Sequence, residues 1–116
     1  MKYSLRVKIF FVAITTFAFA MVALNARATY GAKISVDEPQ YLLSALSIIE
    51  DGNLDISDEL DERRYWTYHP LKLNQKTIDL NESGQRISPH DPLLPLILAI
   101  PVGLGGWILA KIALAV

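Results

Sequence analysis

Residues 35–52, SVDEPQYLLSALSIIEDG, are the stretch around which the chain is organised. Pro39 suits the first turn of a helix, where a missing N–H costs nothing. That places Glu38, or Asp37 just before it, at the cap and predicts a helix over residues 39–51. Tyr41, Leu42, Ala45, Leu46, Ile48 and Ile49 recur at three- and four-residue spacing, which makes one apolar face. Gly52 supplies the stop, because glycine tolerates the left-handed conformation that ends helices. The result is a helix of about three turns. Its N-terminus carries partial positive charge and favours Asp37 and Glu38 as anions. Two readings of these acids stand: capping carboxylates, or a carboxylate held at a rigid helix start as a general base or cation ligand.

Working outward, the 116 residues suffice for one small domain, and the composition, 52% hydrophobic and 20% charged, is tilted away from an ordinary soluble one. The apolar residues gather at the two ends, 9–24 and 93–116. All 12 acidic residues lie between Asp37 and Asp91, where only Arg63, Arg64, Lys72, Lys76 and Arg86 oppose them. That segment therefore carries a net charge of −7, hidden within an overall −1. Such an acidic face argues against nucleic acid as a partner. The absence of cysteine excludes disulfides, thiolate catalysis and cysteine-ligated zinc.

Residues 1–8 hold Lys2, Arg6 and Lys8, and residues 9–28 form an apolar run of about 20 residues, the length of a bilayer-crossing helix. Basic residues before the run place the N-terminus in the cytoplasm, which puts residues 29–91 outside. A cleaved secretory signal fits the same segment, with Ala26-Arg27-Ala28 as the small-residue site and Thr29 as the new start. The second hydrophobic segment favours the uncleaved span.

Within the outer loop, residues 53–60 alternate apolar and polar as a short strand or extended connector. Ser57 or Asp58 is the expected cap of a short helix over residues 59–68, with Arg63 and Arg64 pairing with Glu59, Asp61 and Glu62. Tyr65, Trp66 and Tyr68 suit a membrane–water interface, loop packing or stacking on a sugar ring. The two histidines, His69 and His90, each sit beside a proline. With Asp91, Asp37 and Glu38 they have ligand types suited to a divalent cation, although their spacing matches no compact metal motif and ordinary turn roles fit them better. Residues 76–80 and 86–88 read as extended pieces joined by a turn at 81–85.

Residues 92–116 form the second hydrophobic segment. Pro95, Pro101, Gly103, Gly105 and Gly106 divide it into a short apolar helix at 93–102, a break at 103–106 and the start of a span at Trp107. Lys111 then belongs near the interface or against a partner helix. The fold class that follows is an all-α membrane protein: one N-terminal transmembrane helix, a polar outer loop with short juxtamembrane helices, and a second, broken hydrophobic helix that is an incomplete or kinked span.

Three pieces in order carry a resemblance. They are the basic-then-apolar opening, DEPQYL at 37–42 continuing through Ala45 to EDGNLD at 50–55, and SPHDPLLPL at 88–96 before an apolar, glycine-rich stretch. Together they resemble the N-terminal region of the GT-C-fold membrane glycosyltransferases that use polyprenyl-phosphate sugars, the family-39 or protein-mannosyltransferase-like group. What the resemblance implies is a multi-pass protein of the bacterial inner membrane, with membrane lipid, other membrane helices and a polyprenyl-phosphate sugar as partners. It makes Asp37 the catalytic base that takes the proton of an acceptor hydroxyl, with Glu38 in support. It makes Tyr41 and His90 substrate-binding residues, and Asp37, Glu38 and His90 the ligands of a divalent cation, Mg2+ or Mn2+. Family members are several hundred residues long, so the expectation is an N-terminal part or truncated relative that is inactive alone. Two other classes compete: a small non-enzymatic membrane protein that binds a partner through its acidic loop, and a secreted protein with a cleaved signal.

Overall fold

The computed structural model describes residues 4–24, 26–28, 31–34, 36–74 and 76–115. Lys2 of the basic start and Thr29, the start expected after cleavage, lie outside them. Four helices follow in order: α1 (Leu5–Ala23), α2 (Glu38–Glu50), α3 (Ser57–Asp61) and α4 (Leu93–Ala115), with a 3-10 turn at Arg64–Thr67. Two isolated antiparallel bridges tie the loop, Asp55 with Ile87 and Ile78 with Ile87.

Helix α1 has no buried residue. Phe10, Phe11, Val12 and Phe19 are all more than half exposed. A helix that is apolar all round has no face to turn towards water, so its sequence is not that of an ordinary surface helix. It starts four residues before the expected span and ends five before it. Two helices, Leu5–Ala23 and Leu93–Ala115, are long and apolar enough to cross a membrane.

Helix α2 is the centre of the packed part. Leu42, Leu43 and Ala45 enter a core with Ile34, Ile56, Tyr65, Tyr68, Leu98, Val102 and Ala110. The expected single apolar face is too narrow a description. Gln40, Ser44 and Ser47 are also buried, and Ile49 is 46% exposed. The reason is that α2 is covered on two sides, by α4 and by the outer loop. Gln40 Nε2 donates to the Lys76 carbonyl at 3.1 Å, and Ser88 Oγ donates to Gln40 Oε1 at 2.7 Å. Ser47 Oγ donates to the Asp55 carbonyl at 2.8 Å. Gln40 and Ser47 thus pin the loop, and the apolar positions of α2 pack on α4.

The break in α4 falls inside the expected window. Gly105 (φ −153°, ψ 20°) and Gly106 (φ 61°, ψ −154°) leave the helical region, and Gly106 takes a conformation that is essentially restricted to glycine. Residues 93–104 and 107–115 are therefore two arms. One cavity of about 150 Å3 is bordered by Leu94 and Leu98 from the first arm and by Ala110 and Leu114 from the second. Along a straight helix Leu94 and Leu114 would stand about 30 Å apart. The second arm must therefore turn back toward the first, so α4 is a hairpin rather than one rod. Each arm alone is shorter than the roughly 20 residues that cross a bilayer. Lys111 Nζ donates to the Lys33 carbonyl at 3.1 Å, and both lysine ammonium groups lie over the Trp107 ring. Its charge thus faces protein, as the sequence requires.

The loop elements depart from expectation in detail. The residue at the N-cap of α3 is Ile56, with no side-chain cap, so neither Ser57 nor Asp58 caps it. Asp55 Oδ1 accepts instead from the Ser57 amide and hydroxyl and from the Arg86 amide, which consumes Ser57 in the loop. Arg64 pairs with Glu50 at 2.9 Å and Glu62 at 3.5 Å, Arg86 pairs with Asp61 at 2.6 Å, and Arg63 lies over Trp66. Residues 76–80 and 86–88 do pair, through two reciprocal amide bonds between Ile78 and Ile87. Asp79 holds the turn between them by accepting from the Asn81, Ser83 and Gly84 amides.

Candidate functional site

Pro39 fixes the first turn of α2, and the Asp37 carbonyl accepts from the Gln40 amide at 3.0 Å and the Tyr41 amide at 3.3 Å. Asp37 is the N-cap by backbone alone. Its φ of −91° and ψ of −15° are not the extended values of a capping side chain, and its carboxylate makes no cap hydrogen bond. The carboxylate instead faces His90, with Oδ1 3.5 Å from Nε2. The His90 ring packs against Tyr41 with centroids 5.2 Å apart. The chain between Ser88 and Leu93 is bent to allow this: Ser88 is tied to Gln40, its hydroxyl accepts from the His90 amide at 3.3 Å, and Asp91 Oδ1 accepts from the Leu93 amide at 2.8 Å. Asp37 and Tyr41, one helical turn apart, therefore share one end of α2 with the sequence-distant His90.

Val36, immediately before Asp37, has φ 59°. A β-branched residue in the left-handed region is a backbone outlier and costs free energy. Such strain concentrates where the chain must aim a functional group.

Glu38 lies beside Asp37 in the first turn of α2 and borders the apolar 150 Å3 cavity with Tyr41, Leu42 and Lys111. Among the described residues, Asp37, Glu38 and His90 do not bring three ligand atoms within 4.8 Å of one another. Asp37 and His90 contact each other directly instead of surrounding a common centre. His69 is remote from the pair: it is buried, its Nδ1 lies 2.9 Å from the Ile34 carbonyl, and its ring packs near Tyr65. It is a structural histidine.

A second acidic group escaped the sequence reading. Asp51, Asp58 and Glu59 hold carboxylate oxygens within 4.8 Å of one another at the opposite end of α2. Glu59 is 1% exposed, and burial, with Asp58 and Asp51 beside it, pushes its carboxyl up to about 8. The signal available in the sequence is the density of acids at 50–62, where Asp58 reads as a cap and Glu59 as a partner for arginine. Of the aromatic cluster, Tyr65 and Tyr68 are buried and only Trp66 is exposed, so two of the three rings are core. Burial pushes the Tyr68 hydroxyl well above its ordinary pKa, with Glu59 adding to it.

Compared with family models, characterised proteins and solved structures, the chain shows no match.

Proposed function

We propose that this chain is the donor-facing first-loop unit of a GT-C-like sugar transferase of a bacterial inner membrane, an N-terminal part or truncated relative of a multi-pass enzyme. In this reading α1 is the anchor, the acidic loop lies outside, and the sugar arrives on a polyprenyl phosphate. The observation that carries the reading is the convergence of Asp37, Tyr41 and His90 at the start of α2.

The chemistry follows from those side chains. An acceptor hydroxyl must lose its proton as its oxygen attacks the anomeric carbon and the lipid phosphate leaves. Asp37, not engaged in capping its own helix, is the group to take that proton. His90, half-buried against Tyr41, offers an N–H toward an anionic phosphate. The apolar cavity beside Glu38 and Tyr41 lies where the lipid tail of the donor would approach.

The test is photolabelling of the purified chain in nanodiscs with a photoreactive polyprenyl phosphate. Labelling should fall on peptides containing residues 37–42 and 88–94. Excess polyprenyl phosphate should compete, the neutral polyprenol should not, and His90→Ala should weaken labelling. Equal competition by the polyprenol would reduce the site to a greasy surface and sink the reading.

A further inference from the structure

The acidic cluster at the far end of α2 is independent of the Asp37–His90 pair. Asp51 is the residue that closes α2, and Asp58 and Glu59 lie in the first turn of α3. Asp51 and Asp58 are exposed, whereas Glu59 is 1% exposed and neither of its carboxylate oxygens has a hydrogen-bond partner. A carboxylate this buried, with neither oxygen hydrogen-bonded and with Asp58 and Asp51 beside it, lacks the compensation such groups need. The basic side chains nearby are committed elsewhere: Arg64 to Glu50 and Glu62, Arg86 to Asp61 and the Ser57 carbonyl, and Arg63 to Trp66.

We propose that Asp51, Asp58 and Glu59 form a binding site for one hard divalent cation of the Ca2+ class. The geometry, the donor chemistry and the setting each support it. Calcium–oxygen distances are about 2.3–2.6 Å, so three donors that all lie within 4.8 Å of one another can reach one Ca2+. Mg2+ gives up its water reluctantly and demands near-ideal octahedral geometry, so a site whose protein ligands are three carboxylates favours Ca2+. All three donors are carboxylates, with no histidine or thiol to select a softer metal. The cluster also sits at the C-terminal, negative end of the 13-residue α2, where a cation is favoured.

The loop between the ligands is already held. Ser47 Oγ donates to Asn53 Oδ1 at 3.1 Å and to the Asp55 carbonyl at 2.8 Å, Asn53 Oδ1 accepts from the Asp55 amide at 2.7 Å, and Asp55 Oδ1 accepts from the Ser57 amide at 3.1 Å. Asn53 and Asp55 are thus used to shape the loop, while Asp51, Asp58 and Glu59 converge across it. Water completes the six to eight oxygens that Ca2+ requires. The ion would clamp α2 to α3 and so fix the outer loop on the α2–α4 core.

Calorimetric titration of the purified chain in detergent with CaCl2, MgCl2 and MnCl2 tests this. The expected result is one Ca2+ per chain, bound at least tenfold more tightly than Mg2+, with a Ca2+-dependent rise in melting temperature that EDTA reverses. Glu59→Gln should weaken Ca2+ binding at least tenfold. Asp51→Asn, at an exposed position that leaves the fold intact by circular dichroism, should do the same. Asp61→Asn removes equal charge outside the cluster and should leave binding within twofold. Equal loss in Asp61→Asn and Asp51→Asn, or the absence of any saturable Ca2+ heat, would overturn the proposal.

Discussion

His90 Nε2 lies 3.5 Å from Asp37 Oδ1, across 53 residues of sequence, and each side chain keeps part of its surface open to solvent, 29% and 54% respectively. The contact is long for a hydrogen bond, so the two groups are neighbours that a substrate can separate. Because the Asp37 carboxylate does not cap α2, the cap reading and the base reading make different predictions. Asp37→Asn should leave the thermal stability within about 0.5 kcal/mol, as befits a surface substitution without a lost cap. In the longer transferase that the proposal makes this chain a part of, it should lower the rate of sugar transfer at least ~100-fold, the usual scale of a lost general base. Loss of about 1 kcal/mol of stability with transfer unchanged would return Asp37 to a capping role.

The Ser88–Gln40 hydrogen bond, 2.7 Å and buried, is what brings His90 to α2. Ser88→Ala leaves the Gln40 carbonyl oxygen without its donor. The expected cost is about 1–3 kcal/mol in denaturant unfolding. The same variant should loosen His90, so donor photolabelling should drop with it. A stability loss under 0.5 kcal/mol would show that water replaces the hydroxyl.

Gly106 holds φ 61° and ψ −154°, and the chain reverses there. Gly106→Ala should cost about 1–3 kcal/mol. At Gly105 a Cβ would meet Leu109 Cβ at 2.8 Å, so Gly105→Ala should disturb the second arm as well. Limited proteolysis near residue 107 should accelerate in both. If both variants unfold like the parent, the hairpin is not what packs α4 on α2.

Asp55 gives a pH dependence with a definite sign. Burial raises its pKa, but the Ser57 hydroxyl and the Arg86 and Ser57 amides donate to the carboxylate and bring it net below its ordinary 3.8. A depressed folded-state pKa contributes stability that is present above the unfolded value and lost as pH falls through the folded one. Unfolding of the chain below about pH 3.8 should therefore include an Asp55 component. Asp55→Asn should be less stable at pH 6 and show a shallower acid limb; parallel limbs in the two proteins would remove Asp55 from that role.

Because the chain has no cysteine, Ser83→Cys places a single thiol at the tip of the outer loop. A membrane-impermeant maleimide should label it in intact cells, and a cysteine placed at Ser4 should stay unlabelled until the cells are opened. The reverse pattern would put Asp37 in the cytoplasm and end the donor-facing reading.

Local rules alone determined a good deal here. Pro39 and Gly52 bracket α2 to within a residue of its observed ends. The glycines at 103–106 locate the break in α4, and the run NESGQ at 81–85 announces the turn between Ile78 and Ile87. Each of these depends on the conformational preference of a residue and its near neighbours, which a linear sequence carries in full. Only the tertiary structure decided that Gln40, Ser44 and Ser47 are buried, that Tyr65, Tyr68 and His69 are core, that α4 folds back on itself, and that Glu59 meets Asp51 and Asp58. Those facts depend on which surfaces meet across tens of residues. Period and composition do not encode it, because a polar side chain on a helix reads the same whether water or a distant carbonyl satisfies it.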